Sequence, residues 1–424
     1  MRFSFLHAAD LHIDSPLRGL DAYEGAPVAR LRGATRQALV ALVDLAIDRA
    51  VDLVLLAGDV YDGDWADFRT GLFFRDQMLR LRRAGVRVFA VKGNHDAESQ
   101  ITRQLPEVEG VHVFSSLKSE TMDLPELGAA IHGRSFPNRA VPEDLVPLYP
   151  APLPGRFNIG LLHTSLTGRE GHDPYAPTTP DTLVAKGYDY FALGHVHARE
   201  VVREASPRIV FPGNLQGRHA RETGPKGCEL VVVEDGMLVS AEFVALDVVR
   251  WHRVDIDASG MHGIDALARR FRERGAALAA DARDRLHAVR VVVEGESALH
   301  RLEATQPGTI AAAIHAAAQD VDDAELWIES VRLALRSPFD RAAAAERGDA
   351  TGEVVRLVDA IAADEAGMRD WFVAQLAELG PLPSLVADAD PRALDAAAIR
   401  ALLGDAEATV LAQLTGDAAE GDAR

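Results

Sequence analysis

Side chains of metal-ligating type recur at five places in the first half of this chain, each directly after a short apolar run. Asp10 and His12 follow Arg2 to Ala8, and Gly58-Asp59 follows Leu53 to Ala57. Gly93-Asn94-His95-Asp96 follows Val86 to Val91, His163 ends Phe157 to Leu162, and Gly194-His195-Val196-His197 follows Phe191 to Leu193. At strand spacing, positions i and i+2 share a face, so Asp10 and His12 can reach one ion. Singly, such signals are weak: Asp-x-His arises often by chance, and Asp59 would serve equally as a helix cap. Five in order at strand ends are a different matter, because open α/β sheets gather ligands beyond the carboxyl ends of their strands. Seven donor side chains exceed what one catalytic ion with an open position takes. Two ions fit better, with a carboxylate able to bridge them. Cys228 is the sole cysteine, so the donors are oxygen and nitrogen, which suits manganese, iron or zinc.

The elements that position these groups alternate strand-like and helical patterns over the first 250 residues, as in a layered α/β domain. Strands are predicted at Arg2–Ala8, Asp52–Ala57, Val86–Val91, Phe157–His163, Tyr188–Leu193, Arg208–Phe211 and Glu229–Glu234, with helices at Val28–Ala50 and Phe68–Arg83. From Trp251 the order becomes β-α-β-α-β, a second and smaller domain: Trp251–Asp257, Gly263–Ala280, Val289–Glu294, Thr309–Ala318 and Leu326–Leu335. Asp340–Glu353 reads as an exposed connection. Helical patterns then follow at Val354–Ile361, Trp371–Leu379 and Pro391–Leu414, broken by Gly380, Pro381 and Pro383. A length of 424 residues accommodates two or three domains, and 48% hydrophobic with 26% charged residues excludes collagen-like or wholly disordered chains. No apolar run approaches the roughly 18 residues of a membrane span. Met1 leads almost at once into Phe3, Phe5 and Asp10 without room for a targeting segment, so a cytoplasmic location and no membrane association are expected.

The five motifs resemble those of the calcineurin-like metallophosphoesterase superfamily. Two longer stretches, Leu6-His7-Ala8-Ala9-Asp10-Leu11-His12-Ile13-Asp14-Ser15-Pro16-Leu17 and Phe211-Pro212-Gly213-Asn214-Leu215-Gln216-Gly217-Arg218-His219, are similar to the YhaO branch of the SbcD-type DNA repair exonucleases. The likeness is dense to about residue 235 and only architectural beyond it. It implies an α/β fold: a layered metallophosphoesterase β-sandwich flanked by helices over residues 1–250, a small α/β cap over 251–340, and a helical C-terminal tail over 341–424. It also implies Asp10, His12 and His197 on one ion, Asn94, His163 and His195 on the other, and Asp59 between them. His95 is then the non-ligand histidine near the scissile phosphate, stabilising charge or protonating the leaving oxygen. The ions implied are two divalent metals, manganese first, with iron or zinc as alternatives. Some nuclease relatives carry a histidine three residues after the bridging aspartate, whereas this chain has Asp62 there.

The implied activity is metal-dependent phosphodiester hydrolysis on DNA ends or single strands, as an exonuclease subunit working with a separate ABC-type coiled-coil ATPase. The chain has no P-loop of its own: of its four lysines only Lys118 precedes Ser or Thr, with no glycine among the six residues before it. The net charge of −19 disfavours unaided DNA binding, and the acidity concentrates in Arg341–Arg424. Leu394, Ile399, Leu402 and Leu403, at helical spacing in that tail, form a face suited either to a partner groove or to the cap domain. A second copy of the chain is a further candidate partner, giving a homodimer. Hydrolysis of nucleotides or other small phosphodiesters is the enzymatic alternative, and a DNA-end-binding scaffold is the alternative of another class. The protein phosphatase pattern Gly-Asp-x-Val-Asp-Arg-Gly is disfavoured by Gly58-Asp59-Val60-Tyr61-Asp62-Gly63-Asp64. His7 reads as a structural histidine. Arg218, His219 and Arg221 suit either phosphate contact or a structural loop, and Arg269, Arg270, Arg272 and Arg274 either phosphate contact or a solvated helix face.

Overall fold

The computed structural model describes residues 1–15, 26–62, 68–98, 110–166, 175–280, 282–322, 324–378 and 391–421. Pro16, Leu17, Gly63 and Asp64 of the quoted motifs, Leu379, and the expected break at Gly380, Pro381 and Pro383 lie outside the described residues. The chain divides into two compact units, Met1–His252 with Ala282–Val289, and Arg253–Asp281 with Arg290–Arg424.

In chain order the strands of the first unit are β1 (Arg2–Ala8), β2 (Leu53–Ala57), β3 (Arg87–Val91), β4 (Val111–Val113), β5 (Glu120–Leu124) and β6 (Ala129–Gly133). They continue with β7 (Phe157–His163), β8 (Tyr190–Gly194), β9 (Glu200–Arg203), β10 (Arg208–Phe211), β11 (Gly227–Glu234) and β12 (Met237–Ala245). One six-stranded sheet runs β12-β11-β1-β2-β3-β4 and a second runs β5-β6-β7-β8-β10-β9. Strands β1 to β4 are mutually parallel, as are β6, β7, β8 and β10. Alternation at period two sends Phe3 and Phe5 to one face of β1 and Leu6 and Ala8 into a different cluster. The first set meets Phe157, Ile159, Leu161 and Tyr190 of the other sheet to make a sandwich core, with the Phe5 and Tyr190 rings edge to face at 5.2 Å. The second set packs under α1 (Val28–Asp48) and α2 (Phe68–Arg83), through Leu39, Leu42, Val43, Met78 and Leu81. On the outer face of the second sheet, Leu162, Phe191, Leu193 and Phe211 pack with Phe136, Tyr188 and Leu183.

All seven strands predicted for this unit are present, with ends shifted by two residues at most. Five strands escape the sequence pattern: β4, β5, β6, β9 and β12. Strand β6 shows why. Its Ala-Ala-Ile-His-Gly has poor intrinsic strand preference, yet every residue is buried, and a Cβ on Gly133 would stand 2.5 Å from the Phe114 ring. Packing between layers selects small residues there.

The second unit contains most of a three-stranded sheet ordered β13 (Val249–Asp257), β14 (Leu286–Glu296), β15 (Glu325–Arg336). Helices α5 (Ile264–Ala279), α6 (Leu299–Thr305) and α7 (Thr309–Gln319) connect these strands, the first-unit helices α3 (Asn94–Glu98) and α4 (Pro180–Lys186) preceding them in the numbering. The tail continues the same unit with α8 (Arg341–Ala345), α9 (Ala350–Ala362), α10 (Glu365–Glu378) and α11 (Ala396–Gly421). Asp340–Glu353 is mostly exposed, as expected of a connection, yet helical in part: it holds α8 and the start of α9. Two of its acidic residues are helix N-caps, Asp340 accepting from the Ala343 amide and Asp349 from the Gly352 amide. Among the described residues no helix is long and apolar enough to cross a membrane.

Phe5 is fully buried between the two sheets. Phe5→Ala is expected to cost about 3–5 kcal/mol, read as a lowered midpoint in urea unfolding followed by tryptophan fluorescence.

Candidate metal centre

The parallel strands of both sheets deliver their following residues to one place. Asp10 and His12 lie beyond β1, Asp59 beyond β2, Asn94 and His95 in α3 after β3, His163 ends β7, and His195 and His197 follow β8. The loops are tied by main-chain bonds from the Asp10 amide to the Gly58 carbonyl and from the His12 amide to the Asp59 carbonyl, both 3.0 Å. The Asp10 carboxylate reaches across the sandwich to accept from the His195 amide, also at 3.0 Å. Asp10, His12, Asp59 and His195 all have positive φ, between 42° and 103°, a concentration of backbone strain of the kind found at functional sites. Two glycines make the approach close enough. Gly58 has φ +92° and a Cβ there would meet His163 Nδ1 at 2.4 Å, while one on Gly93 would meet Asp59 Oδ1 at 2.2 Å.

For His163, hydrogen bonding on the far side of the ring fixes what it presents inward. His163 Nδ1 stands 2.9 Å from the Ala57 carbonyl, which only accepts, so Nδ1 carries the proton and Nε2 is a bare lone pair. That Nε2 faces two more acceptors, Asn94 Oδ1 at 3.0 Å and Asp59 Oδ2 at 3.5 Å. His195 Nδ1 lies 3.3 Å from the same Asn94 oxygen. In the neighbouring group, His12 Nε2 and His197 Nε2 point at each other across 3.1 Å. Ligand atoms of Asp10, His12 and His197 lie within 4.8 Å of one another, and so do those of Asp59, His163 and His195. Asp59 Oδ2 is 3.9 Å from His12 Nε2 as well as 3.5 Å from His163 Nε2, so it stands between the two groups.

The electrostatics agree with this geometry. Asp10, His12, Asp59 and His163 are all at most 1% exposed. Burial, reinforced by the Asp59 charge, pushes the Asp10 carboxyl well up, and burial raises Asp59 to about 6. Burial likewise lowers His12 and brings His163 down to about 3, so these imidazoles are neutral. Neutral imidazoles stand here beside carboxyls that burial holds back from ionising. Divalent cations fit such a donor set, and each would stabilise the ionised carboxylates that burial disfavours.

His95 lies at the rim with its side chain 34% exposed. Its amide donates to Asp59 Oδ1 at 3.0 Å and its Nδ1 stands 3.1 Å from Asp62 Oδ1. The Asp62 hydrogen bond raises the His95 pKa above its ordinary value. Burial opposes ionisation of Asp62, but hydrogen bonds from His12 and His95 outweigh it and hold the carboxyl well below the usual range. His12, Asp62 and His95 form a third triad of ligand-type groups, with Asp62 Oδ1 3.4 Å from His12 Nδ1 and 3.1 Å from His95 Nδ1.

Two carboxylates escaped the sequence reading as site residues. Asp96 is buried and accepts from the amides of Val60, Tyr61 and Gly93 at 3.0–3.2 Å, locking the loops that carry Asp59 and Asn94. Its presence three residues after Gly93 was a usable signal. Glu222 accepts from His197 Nδ1 at 2.7 Å and lies in irregular chain with no pattern to mark it. His7 is structural, bonded to Tyr190 Oη and the Leu193 carbonyl, both at 3.1 Å. Of the loop cations, Arg218 is turned inward at 15% exposure, whereas His219 and Arg221 are exposed. On α5, Arg270 stands 3.8 Å from Glu273 and Arg272 3.4 Å from Asp320, with Arg269 and Arg274 exposed.

Residues 3–199 match the family described as calcineurin-like phosphoesterase, and residues 251–336 match the middle domain of metallophosphoesterase YhaO. Over 340 residues the chain is 35% identical to an uncharacterized metallophosphoesterase YhaO of Bacillus subtilis (strain 168), covering 78% of this chain and 81% of that one. The chain belongs to the YhaO-type calcineurin-like metallophosphoesterases. More distantly, it is 25% identical over 307 residues to the DNA double-strand break repair protein Mre11 of Methanopyrus kandleri, covering 63% of this chain and 62% of that one. Mre11 of Sulfurisphaera tokodaii is 28% identical over 174 residues, 40% of this chain and 44% of its own. The calcineurin-like family uses dinuclear metal centres, and the two groups of Asp and His donors fit that use.

Gly93→Ala places a methyl group on top of Asp59 Oδ1. The variant is expected to lose about 1–3 kcal/mol of stability and to show no rise in melting temperature on adding Mn²⁺, where the parent chain rises.

Proposed function

We propose that this chain hydrolyses phosphodiester bonds in DNA, at ends or in single strands, as the nuclease subunit of a cytoplasmic repair complex of the SbcD type. The observation that carries the hydrolytic reading is the pair of Asp and His clusters with Asp59 between them and His95 beside Asp62. Asp10, His12 and His197 would hold one divalent ion and Asn94, His163 and His195 the other, with Asp59 shared. When bound, the two ions supply Lewis-acid polarisation of the phosphoester and a water nucleophile at neutral pH. Manganese is the ion we expect, iron and zinc being compatible with the same donors. The residues contribute position and a proton. Asp62 fixes the ring of His95 and keeps it protonated to higher pH, so His95 Nε2–H can stabilise charge on the phosphate or protonate the leaving oxygen. Likeness to Mre11 proteins, which are named for DNA double-strand break repair, supports DNA as the substrate.

The test is hydrolysis of single-stranded DNA, duplex ends and a small activated phosphodiester, with Mn²⁺ and with chelator. His95→Ala is expected to retain both ions and lose on the order of 10² to 10⁴ in rate. Cleavage of the small ester without cleavage of any DNA would favour the small-substrate alternative, and a fully active His95 variant would overturn the acid role.

The partner we propose is an ABC-type ATPase docking on the C-terminal helices. Of the four apolar positions read from the tail, Ile399 and Leu403 are buried with Met368 inside the second unit and Leu394 packs beside them. Leu402, by contrast, is 47% exposed, and Trp371 on α10 is 39% exposed. Leu402→Glu with Trp371→Glu should leave small-ester hydrolysis unchanged and lower recovery of a co-expressed ABC-type coiled-coil ATPase at least tenfold. Unchanged recovery would place the docking surface elsewhere.

A further inference from the structure

His12 and His197 can serve one ion only if each keeps its proton on Nδ1, and the groups behind Nδ1 decide that. For His197 two neighbours compete. Arg218 Nη2, a donor, lies 3.3 Å from Nδ1 and would force the proton to Nε2 if it bonded there. Glu222 Oε1, an acceptor, lies at 2.7 Å. The shorter contact to the carboxylate wins, so Nδ1–H donates to Glu222 and Nε2 is bare. Glu222 is itself held at four points. Oε1 also takes Arg218 Nη2 at 3.2 Å, while Oε2 takes the Arg218 amide at 2.7 Å and Asn214 Nδ2 at 2.9 Å. Both oxygens therefore face donors, and only a carboxylate satisfies all of them.

Arg218 then extends the arrangement to the other histidines. Its Nη1 lies 3.5 Å from Asp62 Oδ2 and 3.3 Å from Ser15 Oγ, and Ser15 in turn donates to Asp62 at 2.5 Å. Asp62 stands behind His12 Nδ1 at 3.4 Å and His95 Nδ1 at 3.1 Å. One guanidinium thus straddles the two carboxylates that lie behind His12, His95 and His197. A planar fork with five donors can do this, and an ammonium group cannot.

We propose that Glu222 and Arg218 are positioning residues for the centre: Glu222 fixes the proton of His197, and Arg218 holds Glu222 and Asp62 in register, so that His12 and His197 present bare Nε2 atoms to the same ion. The proposal rests on the dinuclear reading above. It also accounts for Asp62, whose negative charge, at a position where some nuclease relatives carry histidine, is matched by Arg218 from the Gly217-Arg218-His219 segment.

The experiment is Mn²⁺ titration of the full-length metal-free chain by calorimetry and electron paramagnetic resonance, with melting in chelator to read the fold separately. The parent chain is expected to bind two ions and show the spin-coupled signal of a pair. Glu222→Ala should weaken one of the two ions by about 10–100-fold and remove the coupled signal while the other ion stays bound. Arg218→Met should weaken the same ion, and Arg218→Lys should not restore it. Should Glu222→Ala melt early in chelator, the similarly sized Glu222→Met, which offers His197 Nδ1 no carboxylate acceptor, gives the same reading. Wild-type affinity for both ions in Glu222→Ala, or equal weakening of both, overturns the proposal. A parent chain that binds fewer than two ions instead overturns the dinuclear reading beneath it.

Discussion

Ligand-type side chains crowded against one another where the strands of two sheets end are the constraint on which the rest of the first unit depends. His163 Nε2 opposes Asn94 Oδ1 and Asp59 Oδ2, and His12 Nε2 opposes His197 Nε2, at separations of 3.0–3.5 Å. Left alone, such contacts repel and the buried carboxylates resist ionisation. They persist because the surrounding chain holds them: strained φ at four of the donor residues, glycines where a methyl group would collide, and Asp96 pinning two loops at once. The sandwich supplies rigidity for this. Its interior residues come from both sheets, so the donors of β1, β2 and β3 cannot shift against those of β7 and β8 without opening the Phe5 and Tyr190 contact.

The donors themselves were legible in the sequence because strand ends announce themselves. An apolar run stops, a glycine or polar residue follows, and the ligand comes next, as in Leu53 to Asp59. The groups behind the donors were not. Glu222 acts on His197 from an irregular segment 25 residues away, and only the fold brings it to 2.7 Å. Asp62 was read as a missing histidine. In the structure it is a present carboxylate with its own work, receiving two imidazoles and a hydroxyl.

The fold was legible to a similar depth. Strands with branched and aromatic residues, such as β1 and β7, carried their own signal, while β6 and β5 depend on neighbours. Thr121 and Asn158 bracket His132 of β6 by hydrogen bonds, a reason for that strand which no local pattern contains. In the tail, charge and alanine showed the exposure and hid the helices. Asp340 and Asp349 suggested a solvated link because acidic residues near alanine occur in both linkers and helix starts, and only the amides they accept from tell the two apart.

One feature of the chain path bears on synthesis. The first unit does not end at His252 but takes back Ala282–Val289, where Arg285 donates to the carbonyls of Asp247 and Ala245 and the Leu286 amide donates to Val248. On a ribosome, all the donor residues of the centre emerge well before this stretch does. Closure of the first unit therefore requires Arg253–Asp281, a length of the following unit, to be translated first. Domains in general fold as units during synthesis, the N-terminal one first. Here the order of emergence and the order of completion differ, because the Asp247 and Val248 carbonyls meet their partners only once Arg285 and Leu286 have been made.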